Sequence, residues 1–280
     1  MNTTLLRRIA RSPSLRRLAF TVIDLGLQPQ RLLGLRHLPR FLGDARRFQV
    51  LHQHQPSVLD AELRWAPIFG DFSSPAGSCR SLYFLQDLLC SQFVLRQPAG
   101  SHLDIGSRVD GFVAQVAAAR TLDVLDVRPL PLTAFPQIRF RQGDILQPPE
   151  ELKGRYDLVS SLHALEHVGL GRYGDPIAAD GFERALGQAT GLVTPGGLLL
   201  LSLPVARLER NCVEFNSQRL FSHQRLLPLL RQLLPDHQLE WSFLIDATRS
   251  PVLAGADPEP ALLAMQGIGV FGGAFRVPSR

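Results

Sequence analysis

His102-Leu103-Asp104-Ile105-Gly106-Ser107-Arg108-Val109-Asp110-Gly111 is the stretch on which the reading of this chain turns. His102–Ile105 reads as a short strand and Gly111–Ala119 as the helix that follows it. Gly106 stands between them. A glycine directly after a strand lets the backbone turn tightly and approach a ligand with no Cβ in the way.

The same alternation continues downstream. Strands are expected at Leu122–Asp126, Ile138–Arg141, Tyr156–Ser160 and Leu198–Leu203, with a short helix near Ala164–His167 and a longer one at Gly181–Leu192. Alternation of this kind implies parallel strands joined by crossover helices. Pro195-Gly196-Gly197 is a turn delivering the chain into an apolar strand. Leu239–Ile245 and the glycine-rich Gly267–Val277 supply two further strands. Upstream, Leu82, Leu85, Leu88, Leu89 and Phe93 recur at near-helical spacing and predict a helix over Ser81–Leu95. The expected domain is α/β, with a mostly parallel seven-stranded sheet and helices on both faces.

Charge divides the chain differently. Residues 1–50 hold ten arginines and two acids, Asp24 and Asp44, a balance of +8 within a chain of +5 overall, so the remainder is −3. Lys153 is the only lysine. A mildly acidic body argues against a nucleic-acid enzyme with a basic cleft. Residues 1–50 read as a basic helical extension, 51–80 as a connector broken by Pro56, Pro67, Gly70, Pro75 and Gly77, and 81–280 as the α/β domain. Pro13 is expected to open a helix with Leu15, Leu18, Ala19, Val22 and Leu25 along one side. Three readings of it stand open: a helix packed on the domain, an amphipathic helix in peripheral contact with anionic lipid, or a cleaved targeting sequence. No run reaches the ~18 apolar residues of a spanning helix. Cys79, Cys90 and Cys212 form no CxxC pair and no disulfide framework, which fits a reducing, cytoplasmic setting.

In a sheet of this kind ligands bind beyond the carboxyl ends of the strands. Polar residues recur there. Asp104, Gly106 and Ser107 follow the first strand. Asp126 ends the second, where a carboxylate can accept both hydroxyls of a ribose, with Val127 beside it. Gly143-Asp144-Ile145 follows the third, where an acid can meet an exocyclic amine and an aliphatic side chain can cover an adenine face. The fourth runs through Ser161, His163, Glu166 and His167. Each of these signals is weak alone; four in this order are far more specific.

The run from Asp104 through Gly143-Asp144, Tyr156-Asp157-Leu158-Val159, Leu165-Glu166-His167 and Pro195-Gly196-Gly197 resembles the motif series of class I S-adenosylmethionine-dependent methyltransferases, a Rossmann-like fold. YFLQDL (83–88), DIGSRVDGFVA (104–114), LDVRPL (125–130), SSLHALEHVGLGRYGDP (160–176) and EFNSQRLFS (214–222) are also similar to an uncharacterised methyltransferase-like family, domain of unknown function 268. The resemblance spans about residues 67–250 and implies S-adenosylmethionine as cofactor. Asp104, Gly106, Ser107, Arg108, Gly111, Asp126, Val127, Asp144, Ile145 and Ser161 are the expected cofactor-binding residues. The superfamily's glycine turn usually reads Asp-x-Gly-x-Gly-x-Gly. Here Arg108 and Asp110 take its second and third glycine positions, and Gly111 is displaced by one. Arg108 is therefore either a grip on a ligand carboxylate or the mark of an inactive, merely binding relative.

Methyl transfer needs in-line positioning, plus a base when the acceptor is a hydroxyl. His163 is the expected base, with Glu166 and Asp175 as further catalytic candidates. The acceptor expected from the acidic body is a small polar or sugar-like molecule. Two rival classes use the same residues. A nicotinamide-dependent oxidoreductase also needs a glycine turn and an acid on strand two. His163-Ala164-Leu165-Glu166-His167 matches the H-x-x-E-H zinc-hydrolase pattern, in which two histidines one helical turn apart bind metal.

Overall fold

The computed structural model describes residues 34–54, 63–69, 72, 79, 81–98, 100–131 and 135–279. The chain divides into two compact units, Met1–Ser78 and Cys79–Arg280. In the first, helix α1 (Leu38–His54) buries none of its side chains. Phe41 meets the ring of Trp65 edge-on at 6.2 Å and that of Phe69 at 5.8 Å. The helix expected from Pro13 lies outside the described residues. Among the described residues no helix is long and apolar enough to cross a membrane.

The second unit begins with α2 (Leu82–Arg96), capped by Ser81, whose Oγ accepts from the Phe84 amide at 3.0 Å. There follow β1 (His102–Ile105), a π-helical turn at Val109–Val113, α3 (Ala114–Ala117), β2 (Leu122–Asp126), β3 (Ile138–Gln142), β4 (Tyr156–Leu162), a 3-10 turn at Leu165–His167, α4 (Gly181–Leu192) and β5 (Val193–Ala206). The chain closes with β6 (Cys212–Glu214), β7 (Gln218–Ser222), α5 (Leu226–Leu233), β8 (Gln238–Ile245), β9 (Pro251–Leu253), α6 (Glu259–Ala264) and β10 (Ile268–Arg276). The sheet runs β3-β2-β1-β4-β5-β10-β8-β9, with β7 also paired to β5 and β6 to β7. The first five are mutually parallel. β10 lies antiparallel between β5 and β8.

β1 is buried at every residue, as a central strand covered on both faces must be. On one face, Leu103, Ile105, Val159 and Leu199 pack with Phe182 and Leu186 of α4 and Leu226 and Leu230 of α5. On the other, Val124, Leu158 and Leu200 pack with Cys90 and Val94 of α2 and with Phe112 and Val116. The glycines of β10 have a packing reason: a Cβ on Gly272 would lie 2.1 Å from the Phe243 ring. Gly272 and Gly273 pair with Ser202 and Leu201 of β5 and so belong to a strand.

Several expectations change. Pro195-Gly196-Gly197, expected as a turn before the strand, lies inside β5, where Gly196 takes φ +77°. The sheet has ten strands rather than seven, because the short β6, β7 and β9 join it; β6 and β9 are exposed at every residue and leave no burial pattern to read. The helix expected at Gly111–Ala119 is instead the π-helical turn followed by the four residues of α3, because Gly111 holds φ −122°, ψ −107° and breaks it. The helix expected near Ala164–His167 is a single 3-10 turn.

Candidate active site

Asp104 is fully buried beneath the glycine turn. One carboxylate oxygen accepts from the Ser107 amide at 3.0 Å; the other accepts from Ser107 Oγ at 2.7 Å and Ser160 Oγ at 2.6 Å. Burial pushes its pKa up to about 6, against the pull of those donors. His102 Nε2 lies 2.9 Å from Ser160 Oγ. Burial, reinforced by Arg120, lowers the His102 pKa to about 3, so the ring is neutral and Nε2 donates while Ser160 donates onward to Asp104. Ser107 Oγ also accepts from the Leu162 amide at 2.9 Å, and Ser161 Oγ donates to the Ile105 carbonyl at 2.8 Å. Together these bonds staple the end of β1 to β4. They shape the turn, in which Gly106 takes φ +68°.

Above the turn lies a cleft lined by Gly106, Asp126, Val127, Arg128, Asp144, Ile145, His163, His167, Tyr173 and Asp175, among others. It gathers residues from the ends of β1, β2, β3 and β4, where an open α/β sheet binds its ligands. Leu125, Ile145 and Leu165 give it apolar walls. Asp126 is engaged: Arg128 donates to its Oδ1 from the backbone amide at 2.9 Å and from Nε at 3.0 Å, and to its Oδ2 from Nη2. The guanidinium lies 4.5 Å from the centre of the Tyr173 ring. With this pair in place the free interior is about 60 Å3, against about 560 Å3 when the space open to solvent is included.

His163 stands at the junction of β4 and the 3-10 turn with φ +51°, a left-handed backbone that few residues with a Cβ adopt. Its Nδ1 lies 2.7 Å from Glu166 Oε1. Glu166 is fully buried. Burial alone would raise its pKa, but the charge and hydrogen bond of His163, with His167 adding to them, hold it below the usual range. An ionised carboxylate only accepts, so the hydrogen-bond network places a proton on His163 Nδ1, which donates it to Glu166. His167 Nδ1 donates to the Ser217 carbonyl. The two histidines therefore do not share the face of one helix: the element between them is a three-residue 3-10 turn, and His167 is committed to the loop before β7. Among the described residues no three His, Cys, Asp or Glu side chains are gathered as a metal site.

Asp175 lines the cleft, but its oxygens accept from the amides of Gly169 (2.8 Å), Gly171 (3.3 Å) and Tyr173 (3.1 Å). It folds its own loop. Glu214 is exposed and Asn216 has φ +62°, while Arg219 is buried. Arg219 donates to the carbonyls of Glu166, Val168, Ala178 and Ala179, clamping the same loop from below. The helix that follows β7, α5, begins at Leu226.

Of the residues singled out in the sequence, Gly106, Asp126, Val127, Asp144, Ile145, His163 and Asp175 meet at the cleft. Asp104, Ser107, Ser161 and Glu166 lie behind it and act through hydrogen bonds. Arg108 is turned away, bonded to Asp110 at 2.8 and 3.1 Å and lying 5.2 Å from the Tyr83 ring. Gly111 faces α2: a Cβ there would lie 2.1 Å from Asp87 Oδ2. Burial raises the Asp87 pKa, and the Phe112 amide is among its partners. The displaced glycine thus makes room for a carboxylate from the preceding helix. Arg128, Asp87 and the clamp role of Arg219 had no reading in the sequence. Tyr83, Asp87, Arg128 and Tyr173 all fall inside the strings that carry the resemblance, which was the one signal available.

The sequence profile of a family described as Caenorhabditis protein of unknown function, DUF268, matches residues 139–233. That covers the strings of β4 and β7 but not those of β1 and β2. No curated protein matches the chain. Among solved structures the chain is similar to the [4+2]-cyclase SpnF, with 14% identity over 73% of this chain and 86% of that one, at a TM-score of 0.51. It is also similar to the 1,6-didemethyltoxoflavin-N1-methyltransferase of Burkholderia thailandensis, solved with S-adenosylhomocysteine (14% identity, 87% and 90% of the chains, TM-score 0.47). A third is the N-methyltransferase NodS of Bradyrhizobium japonicum WM9 (16% identity, 70% and 86%, TM-score 0.41). At such identities the likeness is one of fold. The chain has a Rossmann-like α/β fold.

Proposed function

We propose that the protein is an S-adenosylmethionine-dependent methyltransferase acting on a hydroxyl of a small polar or sugar-like acceptor. Similar solved chains include one described as a cyclase, so methyl transfer is assigned from the site and not from the fold. The observation that carries it is the convergence of Gly106, Asp126, Asp144 and His163, from the ends of four parallel strands, on one cleft. The donor set fits the cofactor: carboxylates at Asp126 and Asp144 suit ribose hydroxyls and an adenine amine, and Leu125, Ile145 and Leu165 suit the adenine faces. Gly106 lets the backbone come close where the methionyl part would lie. The bound cofactor would supply an electrophilic methyl group on a sulfonium.

This chain's residues supply the rest. Glu166 holds His163 in the Nδ1–H form, and His163 Nε2 takes a proton from the acceptor hydroxyl. The left-handed backbone at His163 is a strain retained where the base is needed. Calorimetric titration with S-adenosylhomocysteine and with oxidised nicotinamide dinucleotides tests the assignment. Saturable binding of the former alone is expected; binding of the nicotinamide alone overturns it.

A further inference from the structure

Asp126 is the acid that the cofactor's ribose requires, yet both its oxygens already have donors, all from Arg128. We propose that Arg128 and Tyr173 form a gate over the nucleoside half of the cleft, closed by the Asp126–Arg128 pair and opened when ribose hydroxyls take over the carboxylate. The gate rests on the cofactor assignment above and adds two ligand-controlling residues to it.

Three observations converge. First, the free interior of about 60 Å3 falls well short of the ~300–1,000 Å3 of a small-molecule site, and Arg128 and Tyr173 both line it. Second, the pair is lopsided. The Asp126 side chain is 12% exposed and that of Arg128 46%. Arg128 can swing into water at little cost, whereas the half-buried carboxylate it leaves needs replacement donors. Two vicinal hydroxyls provide them, so opening is coupled to the ligand that belongs there. Third, the outer leaf is a single unit. Tyr173 lies between the Arg128 guanidinium and the edge of the His167 ring, at 4.5 and 5.8 Å. Its loop carries Gly169, Gly171 and Gly174 at φ +81°, +70° and +80°. Asp175 binds that loop into one unit through three amides. The glycines at its ends and middle are where the backbone can turn.

The test is binding of S-adenosylhomocysteine, uncharged overall, to the full-length wild type, Arg128→Ala and Tyr173→Ala, by calorimetry and stopped-flow at low and high salt. Removing the competing pair is expected to tighten binding about three- to tenfold and speed association in R128A, with Y173A changing in the same direction. Salt screens a half-exposed ion pair, so wild-type affinity should rise with salt while that of R128A stays level. Equal or weaker binding by R128A, with no salt effect in the wild type, overturns the gate and leaves the cofactor assignment standing. No binding by any of the three proteins overturns the assignment and the gate together.

Discussion

Ser160 connects the two buried groups under the glycine turn, and removing its hydroxyl should destabilise the fold in a pH-dependent way. It donates to Asp104 at 2.6 Å and accepts from His102 at 2.9 Å. Asp104 titrates at about 6 in the folded protein, above the 3.8 of a free carboxyl. The folded state therefore holds that proton more tightly than the unfolded chain. Ionised Asp104 costs stability increasingly as pH rises from about 4 to about 6, reaching about 3 kcal/mol and staying there at higher pH. In Ser160→Ala the ionised form loses a charge-assisted hydrogen bond of ~1.5–3 kcal/mol, and His102 Nε2 loses its partner for a further ~1 kcal/mol or more. At pH 5 Asp104 is mostly protonated and the first loss shrinks to ~0.5–1.5 kcal/mol. The expected destabilisation is about 2 kcal/mol at pH 5 and about 3–4 kcal/mol at pH 8. Urea unfolding of both proteins at the two pH values measures it. A penalty equal at both, or below about 0.5 kcal/mol, would refute the network.

Gly111→Ala places a methyl 2.1 Å from Asp87 Oδ2; a loss of ~1–3 kcal/mol is expected, read as a lowered melting temperature, with Asp87→Ala in the same chain cancelling much of it. Arg219→Ala leaves the carbonyls of Glu166, Val168, Ala178 and Ala179 without their donor, and a loss of ~2–4 kcal/mol is expected. Amide exchange at 168–180 should accelerate more than exchange in β1, and uniform acceleration would argue for a general packing role instead.

The fold was legible because its signals are local. β1 and β2 match their expected bounds to the residue, since strands buried on both faces read as short apolar runs between turns. α4 does too, its buried face repeating through Phe182, Ala185, Leu186 and Ala189. β6 and β9 were missed because every residue in them is exposed; what makes them strands is a partner, not a pattern. At the site the same division holds. The strand-end positions of Asp126 and Asp144 follow from spacing. What their neighbours do does not. Gly111 is explained by Asp87 in the helix before β1, and Tyr173 reaches Arg128 only because the glycine loop folds back over the sheet.

This division bears on how variants of the site are to be interpreted. Asp104, Ser107 and Ser161 sit in the motif most often taken as the cofactor's grip, yet here their side-chain bonds run to Ser160, to the Leu162 amide and to the Ile105 carbonyl. Lost activity in a variant of these three therefore reports the geometry of the turn before it reports any contact with ligand. Arg128 and Tyr173, outside the expected set, lie over the cleft and carry little of the core: Arg128 pairs with a carboxylate two residues away and lies against the Tyr173 ring, and Tyr173 belongs to a loop held by Asp175. Substitutions there leave the β1–β4 staple intact. Changes in ligand binding at those two positions, and not at the motif, separate recognition from folding in this protein.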